Sequence, residues 1–575
     1  RGIEGVTPDF DYPEYLDYLE SLNHNFIRLW VWEHATWMQF EPPSIKVRYK
    51  PLPYPRTGPG NALDGGLKFD INQFYQPYFD RLRDRIIQAG NRDMYVAVML
   101  FQGFSIEQKQ SGCVEGLNPS NGNPWEGHPY NPNNNINGVD GDADNDNNGR
   151  ELHTLQLPAI TALQKTYVAK VIDTINDRDN IVWEISNESH AESISWQYHM
   201  IDYIKSYEAA YKPKQHPVGM TGYCFNNSYL FASPADWISP NKDGGYRDNP
   251  PAADGSKIVV SDTDHLWGLG GDRAWVWKSF CRGLNPIFMD SYKDYRWGSP
   301  PTPDPTYDPI RIALGHTRIY AEKMNLVMMT PQNSLSSTTY CLANPGSEYL
   351  VYQPSSGQSF TVNLVAGTYD YEWFNCNLGT LAQTGSVTVS GGSQSFTPPF
   401  SGEAALYLNG CGIIGLPEQA SNPYPQHQAA WISIDLTCSW NTSQCANSYN
   451  VYFGETGQLL FRGSQAMTTF NPGTLNRYTD YSWRVDTVNS YGTITGVVWD
   501  FTTEPYHWDL DYDYDVDQLD FGLFQACYSG TGNPPVGDCL AADFDDDNDV
   551  DLNDFNIFLG CATGTNGTID PNCDN

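Results

Sequence analysis

The chain contains no run of 18 or more apolar residues, so nothing in it can span a bilayer as a helix. Positive charge is scarce: 33 Lys and Arg stand against 68 Asp and Glu, a formal net charge of −35. A surface of that sign repels phosphate backbones and anionic headgroups, which argues against nucleic acids and membrane surfaces as partners. No Lys or Arg follows Arg484, so the acidic end of the chain needs something other than protein to balance it. The zinc-protease motif His-Glu-x-x-His does not occur, which removes that class of hydrolase. No apolar leader opens the chain at Arg1, so an export signal is expected to have been removed or to lie outside this sequence. Six of the twelve cysteines (Cys438, Cys445, Cys527, Cys539, Cys561, Cys573) have no His at zinc-like spacing. Disulfides in an oxidising, extracellular setting are therefore expected.

Aromatic residues are plentiful, at 14 % with 17 Trp and 37 Tyr. Their flat apolar faces and polar edges suit stacking on sugar rings, although large β-rich cores use them too. A chain of 575 residues exceeds one hydrophobic core and should divide into three or four domains.

The sharpest signal lies in residues 506–575. Asp509, Asp511, Asp513, Asp517 and Asp520 stand at positions 1, 3, 5, 9 and 12 of a twelve-residue loop, with Asp515 between them. Asp543, Asp545, Asp547, Asp551 and Asp554 repeat the loop 34 residues later, with Asp549 in the place of Asp515. A short apolar helix follows each loop. Cys527 and Cys561 keep the same 34-residue spacing, as do Cys539 and Cys573. Carboxylates converging in this way repel unless a hard cation sits among them, and Ca²⁺ with six to eight oxygens fits. The repeat also predicts two matching disulfides, Cys527–Cys539 and Cys561–Cys573. Position 6 is Tyr514 or Asn548 and position 12 is Asp, which departs from the EF-hand pattern. The loop-plus-helix duplication instead resembles type I dockerins. That resemblance implies two structural Ca²⁺ ions and attachment to a cohesin-like or cell-surface partner.

Two β-rich stretches precede the tail. Residues 331–412 alternate apolar and polar positions between Gly and Pro punctuation, as in Phe360-Thr-Val-Asn-Leu364, and read as a β-sandwich. They resemble the collagen-binding-like domain that follows certain glycosidase barrels, for which barrel support is the implied role. Residues 426–504, with Trp431, Trp440, Tyr449–Phe453 and Tyr481–Asp486, resemble a fibronectin type III module, a usual spacer. The Pro-rich stretch 416–425 reads as a linker.

Residues 1–330 alternate β-type runs with helical stretches, the pattern of a parallel sheet with crossovers. Seven strands are expected, at 25–32, 94–101, 180–186, 218–223, 236–239, 257–264 and 285–290. A (β/α)₈ barrel has eight, so the first is expected upstream of Arg1. The fourth strand then reads Asn180-Ile-Val-Trp-Glu-Ile-Ser-Asn-Glu-Ser-His190. This resembles the glycoside hydrolase superfamily whose acid/base Glu ends strand 4 within an Asn-Glu pair. The resemblance implies Glu188 as acid/base and Asn187 as a sugar ligand, with Glu184 orienting its neighbours. Barrel active sites lie at the C-terminal ends of strands, and glycoside hydrolysis needs a second carboxyl across the anomeric carbon. Strand 7 carries no Glu, so Asp262 or Asp264 must serve; Asp262 follows Val-Val-Ser as the family's Glu does. A shorter Asp widens the carboxyl gap, leaving retention and inversion both open.

Position at the mouth adds Arg28, Trp30, Trp32, His34, His190, His265, Trp267 and Tyr292 as substrate-binding candidates. The long loop 102–154 is expected to wall the cleft with Trp125 and Tyr130, and its Asp140, Asp142, Asp144, Asp146 and Glu151 offer a further Ca²⁺ site. The sequence thus points to a secreted glycoside hydrolase cleaving O-glycosidic bonds of a polysaccharide by two-carboxylate chemistry. The alternative is a catalytically inactive barrel acting as an extracellular carbohydrate-binding or surface-structural protein.

Overall fold

The structure, a computed structural model, describes residues 2–3, 10–33, 35–40, 45–107, 109–111, 114–115, 122–290, 292, 303–412, 417–443, 445–446, 448–489, 492–545, 547–570 and 573. The chain divides into two compact units, Arg1–Asn409 and Gly410–Asn575. No helix among the described residues is long and apolar enough to cross a membrane.

The first unit is built on seven parallel strands that follow one another in chain order across the sheet. They are β1 (Phe26–Glu33), β2 (Tyr95–Gln102), β3 (Ile181–Asn187), β4 (Val218–Thr221), β5 (Trp237–Ser239), β6 (Ile258–Asp262) and β7 (Asn285–Ile287). These match the seven runs read from the sequence. Helices lie between them: α1 (Tyr12–Ser21) precedes β1, and α2 (Gln76–Gly90), α3 (Pro158–Ile175) and α4 (Ile194–Tyr211) follow in turn. Parallel strands need such crossovers, and with helices on one face and a packed interior on the other they read as near-continuous apolar runs.

Side chains alternate by face along each strand. Ile27, Leu29, Val96, Val98, Ile181, Trp183, Ile185, Val218, Met220 and Ile238 join the helices in one core. The opposite face is layered. Ala97, Trp237 and Val260 pack with Phe26, Val182 and Ile287 as an apolar plug. Gly219 completes this layer, because a Cβ there would sit 1.9 Å from the Trp237 ring. Two residues further along the same strands come Arg28, Met99, Glu184, Thr221, Ser239 and Asp262. The polarity of the interior therefore changes in one step, from a dry plug to an ionic layer.

A cavity of about 290 Å³ runs beside β1 and is lined by residues from both of its faces, Ile27 and Leu29 as well as Arg28 and Trp30. Among the described residues this edge of β1 has no strand partner.

Two further helices, α5 (Arg273–Cys281) and α6 (Asp308–Lys323), close the barrel region. They receive a six-stranded antiparallel sheet formed by strands between Thr330 and Gly412. Leu342, Leu350, Tyr352, Phe374, Ala405 and Tyr407 of that sheet pack into the helical core, with Trp277 stacked on Tyr352 at 6.0 Å. Its other face, through Tyr349, Val351, Leu406 and Leu408, encloses a second core with Phe360, Val362 and Leu364 of a two-stranded ribbon.

The second unit begins with a six-stranded sheet over Trp440, Tyr449, Val451, Phe453, Trp483, Trp499 and Phe501. It ends in α7 (Gln518–Cys527) and α8 (Leu552–Cys561), each opened by a capping box, Asp517 with Asp520 and Asp551 with Asp554. The 34-residue repeat is a structural symmetry. Val516 N–H donates to Thr563 Oγ1 and Val550 N–H to Ser529 Oγ, so the turn after each helix braces the other repeat's loop. Cys527–Cys539 and Cys561–Cys573 are disulfide-bonded, as the repeat predicts.

Candidate active site

Arg28, inside the barrel on β1, is the hub of the ionic layer. Its Nε and Nη2 hold both oxygens of Glu184 on β3, at 3.0 and 2.5 Å. Nη1 reaches Asp262 at the end of β6 at 2.6 Å and Asp264 at 3.5 Å. Nη2 also donates to Asn187 Oδ1 at 3.0 Å. Thr221 adds a donor to Glu184 at 2.8 Å. One guanidinium thus ties the ends of β3 and β6 to β1. Burial works against its charge, but Glu184 and Asp262 outweigh that and hold its pKa above the ordinary value.

One cation cannot neutralise this many buried carboxylates. Asp262 is pushed up to about 7, by burial first and then by the charges of Asp264 and Glu184, against the pull of Arg28. Asp264 is also pushed up to about 7, by burial and next by the charge of Glu188. The two aspartates are therefore not equivalent. Asp262 is 2 % exposed, clamped by Arg28, and accepts the Asp264 N–H at 2.9 Å to cap the short helix Thr263–Leu266. Asp264 is the one whose pKa responds to Glu188.

Glu188 directly follows β3 and is only partly buried. Its backbone has φ of +49°, a region that a long side chain seldom adopts. The cause is the adjacent β2 end. Gly103 passes so close that a Cβ on it would lie 2.4 Å from Ser189 Cα and 2.6 Å from Glu188 O. Ser189 is held by Ser186 Oγ at 2.6 Å and by His153 at 3.3 Å. Such outliers persist only where the surroundings over-determine them, and they gather at functional sites.

His265 completes the frame. Burial and Arg28 push its pKa well below the ordinary value, so the ring stays neutral. Its Nε2–H then donates to Asn187 Oδ1 at 3.1 Å, and Nδ1 accepts from Ser239 at 3.2 Å. With Arg28 and His265 on its carbonyl, Asn187 has its amide left, which approaches Gln102 Oε1 at 3.4 Å. Tyr223 stands 6.0 Å from the His265 ring, its hydroxyl pKa raised by burial and by Glu188 and Asp264. Thr221, Ser239, Gln102, Gly103 and Tyr223 belong to this frame although none is a sequence-predicted site residue. Thr221 and Ser239 end β4 and β5, and the rule that barrel sites lie at the C-terminal ends of strands would have found them.

The remaining mouth candidates are dispersed. Trp30 and Trp267 are each 37 % exposed. Trp32 lies on β1, and His34 lies outside the described residues. His190 is buried, with Nε2 on the Arg150 carbonyl at 3.0 Å. Tyr292 is buried and packs against Phe10, Tyr15 and Tyr18. Trp125 and Tyr130 do not wall a cleft; both are fully buried in a core of their own with Tyr54, Phe69 and Ile106.

In the tail, the carboxylate oxygens of Asp509, Asp511, Asp513 and Asp520 lie within 4.8 Å of one another, as do those of Asp543, Asp545 and Asp554. Asp515 and Asp517 share Asp520, and Asp549 and Asp551 share Asp554, in two further sets; Asp547 joins none. In the barrel loop, Asp142, Asp144 and Asp146 converge. Asp140 accepts the Asp142 N–H, and Glu151 accepts those of Ala143 and Asp144.

No family model and no characterised protein matches this sequence. Solved structures do align. A protein described as a glycoside hydrolase is 13 % identical over 69 % of this chain and 88 % of its own, with a TM-score of 0.44. A glycoside hydrolase family 5 protein from Bacteroides vulgatus ATCC 8482 is 12 % identical over 69 % of this chain and 85 % of its own, TM-score 0.41. The fibronectin type III domain of human fibronectin type III domain containing protein 3 is 22 % identical over 16 % of this chain and 91 % of its own, TM-score 0.13. The functional reading rests on the site itself.

Proposed function

We propose that the first unit is a glycoside hydrolase acting on O-glycosidic bonds of a polysaccharide, with Glu188 as acid/base and Asp264 as the opposing carboxylate. The observation that carries this reading is the ionic layer at the strand ends, where Arg28 holds Glu184, Asp262 and Asp264 directly below Asn187 and Glu188. Glycoside hydrolysis requires one carboxyl to be protonated while its partner is ionised. Two interacting carboxyls share one proton, because ionising one disfavours ionising the other; in the free barrel Asp264 is the one raised to about 7, and Glu188 must take the proton as substrate binds. Glu188, the more accessible, donates its proton to the leaving oxygen. Asp264 meets the positive charge developing at the anomeric carbon, directly or through a water. Arg28, Glu184 and Asp262 position this pair and do not touch substrate. The test is product analysis on a polysaccharide panel with wild type, Asp264→Asn and Asp262→Asn. Asp264→Asn should abolish turnover on every substrate, whereas Asp262→Asn should retain some. The reverse order would reassign the second carboxylate to Asp262, and an inactive wild type would favour the carbohydrate-binding alternative.

The tail is read as a calcium module. Asp511, Asp515 and Asp549 each keep a buried carboxylate oxygen with no protein partner, a deficit that a cation would satisfy. Asp509, Asp511, Asp513 and Asp520 would hold one ion, and Asp543, Asp545 and Asp554 another. The loop set Asp142, Asp144 and Asp146 is a third candidate. Exposed Leu519, Leu552 and Leu559 support docking of the tail on a cohesin-like or surface partner. Disulfides persist in oxidising compartments, which supports an extracellular setting.

A further inference from the structure

Four residues of the second unit combine an aromatic side chain with a left-handed backbone, and their rings meet. They are Trp431 (φ +60°), Tyr478 (+50°), Tyr512 (+63°) and Tyr514 (+78°). The ring centroids of Trp431 and Tyr512 are 5.6 Å apart at 32°, and those of Tyr478 and Tyr514 are 4.4 Å apart at 38°. Trp431 and Tyr478 approach to 6.3 Å. Bulky residues in this backbone region are strained. The loop itself does not need them: the second repeat has Asn548 in the place of Tyr514, with φ of +69° and no ring. Trp431 is turned out by a separate device. Its strand, Ala429–Ile432, slips register against Val498–Thr503, with Ala429 opposite Phe501 and Ile432 opposite Thr503. That leaves one extra residue, a bulge that re-aims a side chain.

The rings are not spent on burial. Trp431 and Tyr512 are each 50 % exposed and Tyr514 is 60 % exposed. Their surroundings select the ligand. Asp511 and Asp513 share the loop, no Lys or Arg occurs in residues 485–575, and nearby Arg477 is paired with Glu504 at 3.2 Å. Anionic ligands are repelled. A neutral sugar ring can lay its C–H face on the aromatic faces.

We propose that Trp431, Tyr512 and Tyr514 form a binding platform for a neutral glycan, in the second unit and independent of the catalytic reading. The test is co-sedimentation of the full chain with insoluble cellulose, mannan and xylan, and with gels of the anionic polygalacturonate. Glu188→Gln is included so that nothing is digested. Trp431→Ala and Tyr512→Ala should each weaken retention on at least one neutral polymer about tenfold. Trp431→Phe and Tyr512→Phe, which keep a ring, should retain it. If an Ala variant misfolds, the difference in emission between wild type and Trp431→Phe on titration with a soluble oligosaccharide of the same polymer reports the contact instead. Retention on no neutral polymer, equal retention by the Ala variants, or retention on polygalacturonate alone would overturn the proposal and leave the rings to loop packing or a protein partner. Loss of turnover in Glu188→Gln is read separately, so the two claims fail separately.

Discussion

Glu188 stands on a backbone that only its neighbours can enforce, and the enforcing contact is a missing Cβ at Gly103. Gly103→Ala should therefore push Ser189 and the Glu188 carbonyl away and misplace the carboxyl. A displacement near 1 Å costs about a hundredfold in turnover. The expected signature is a fall in kcat with a much smaller change in KM, measured beside an unfolding curve whose midpoint is lowered, because the clash is with backbone atoms. Titration gives a second check on the same cluster. Asp262 and Asp264 are raised to about 7 in the folded barrel, against an ordinary 3.8. Between those values the folded state holds protons that the unfolded chain has released. Their contribution to stability is complete below about pH 4 and is lost as the pH rises through about 7. Denaturant unfolding of the barrel across that window should show the decline, and Asp264→Asn should flatten it.

Among the elements, β4 and β5 meet where Gly219 admits the Trp237 ring 1.9 Å from a would-be Cβ. Gly219→Ala should overpack the plug and cost about 1–3 kcal/mol, read as a lower denaturant midpoint with an unchanged slope. Strands β2 to β6 were legible from their apolar runs because nearly all their residues are buried on both faces, so the signal is continuous. The Asn-Glu step at 187–188 was legible because it ends such a run. The roles within the site were less so. Asp262 and Asp264 differ through Arg28 and Glu188, which lie far away in sequence. Trp125 and Tyr130 read as cleft residues because a long polar loop does not reveal that it carries a core of its own. Tyr514 reads as a departure from a calcium-loop pattern, and its meeting with the ring of Tyr478, distant in sequence, is visible only in the structure.

For the whole molecule, the two units should respond to different perturbations. Chelation should loosen residues 506–575, because the binding free energy of such loops is folding free energy, while the barrel stays folded. Limited proteolysis with and without chelator checks this: the tail should become cleavable and the barrel should not, and tail protection unchanged by chelator would contradict the calcium assignment. The central claim is that Glu188 delivers the proton, and turnover of Glu188→Gln beside wild type on the same polysaccharide tests it most directly. The substitution keeps the shape and removes the proton. Turnover on the polymer should fall about 10²–10⁴-fold, and less on an activated aryl glycoside whose leaving group needs no acid. Undiminished hydrolysis of the polysaccharide by Glu188→Gln would contradict the account.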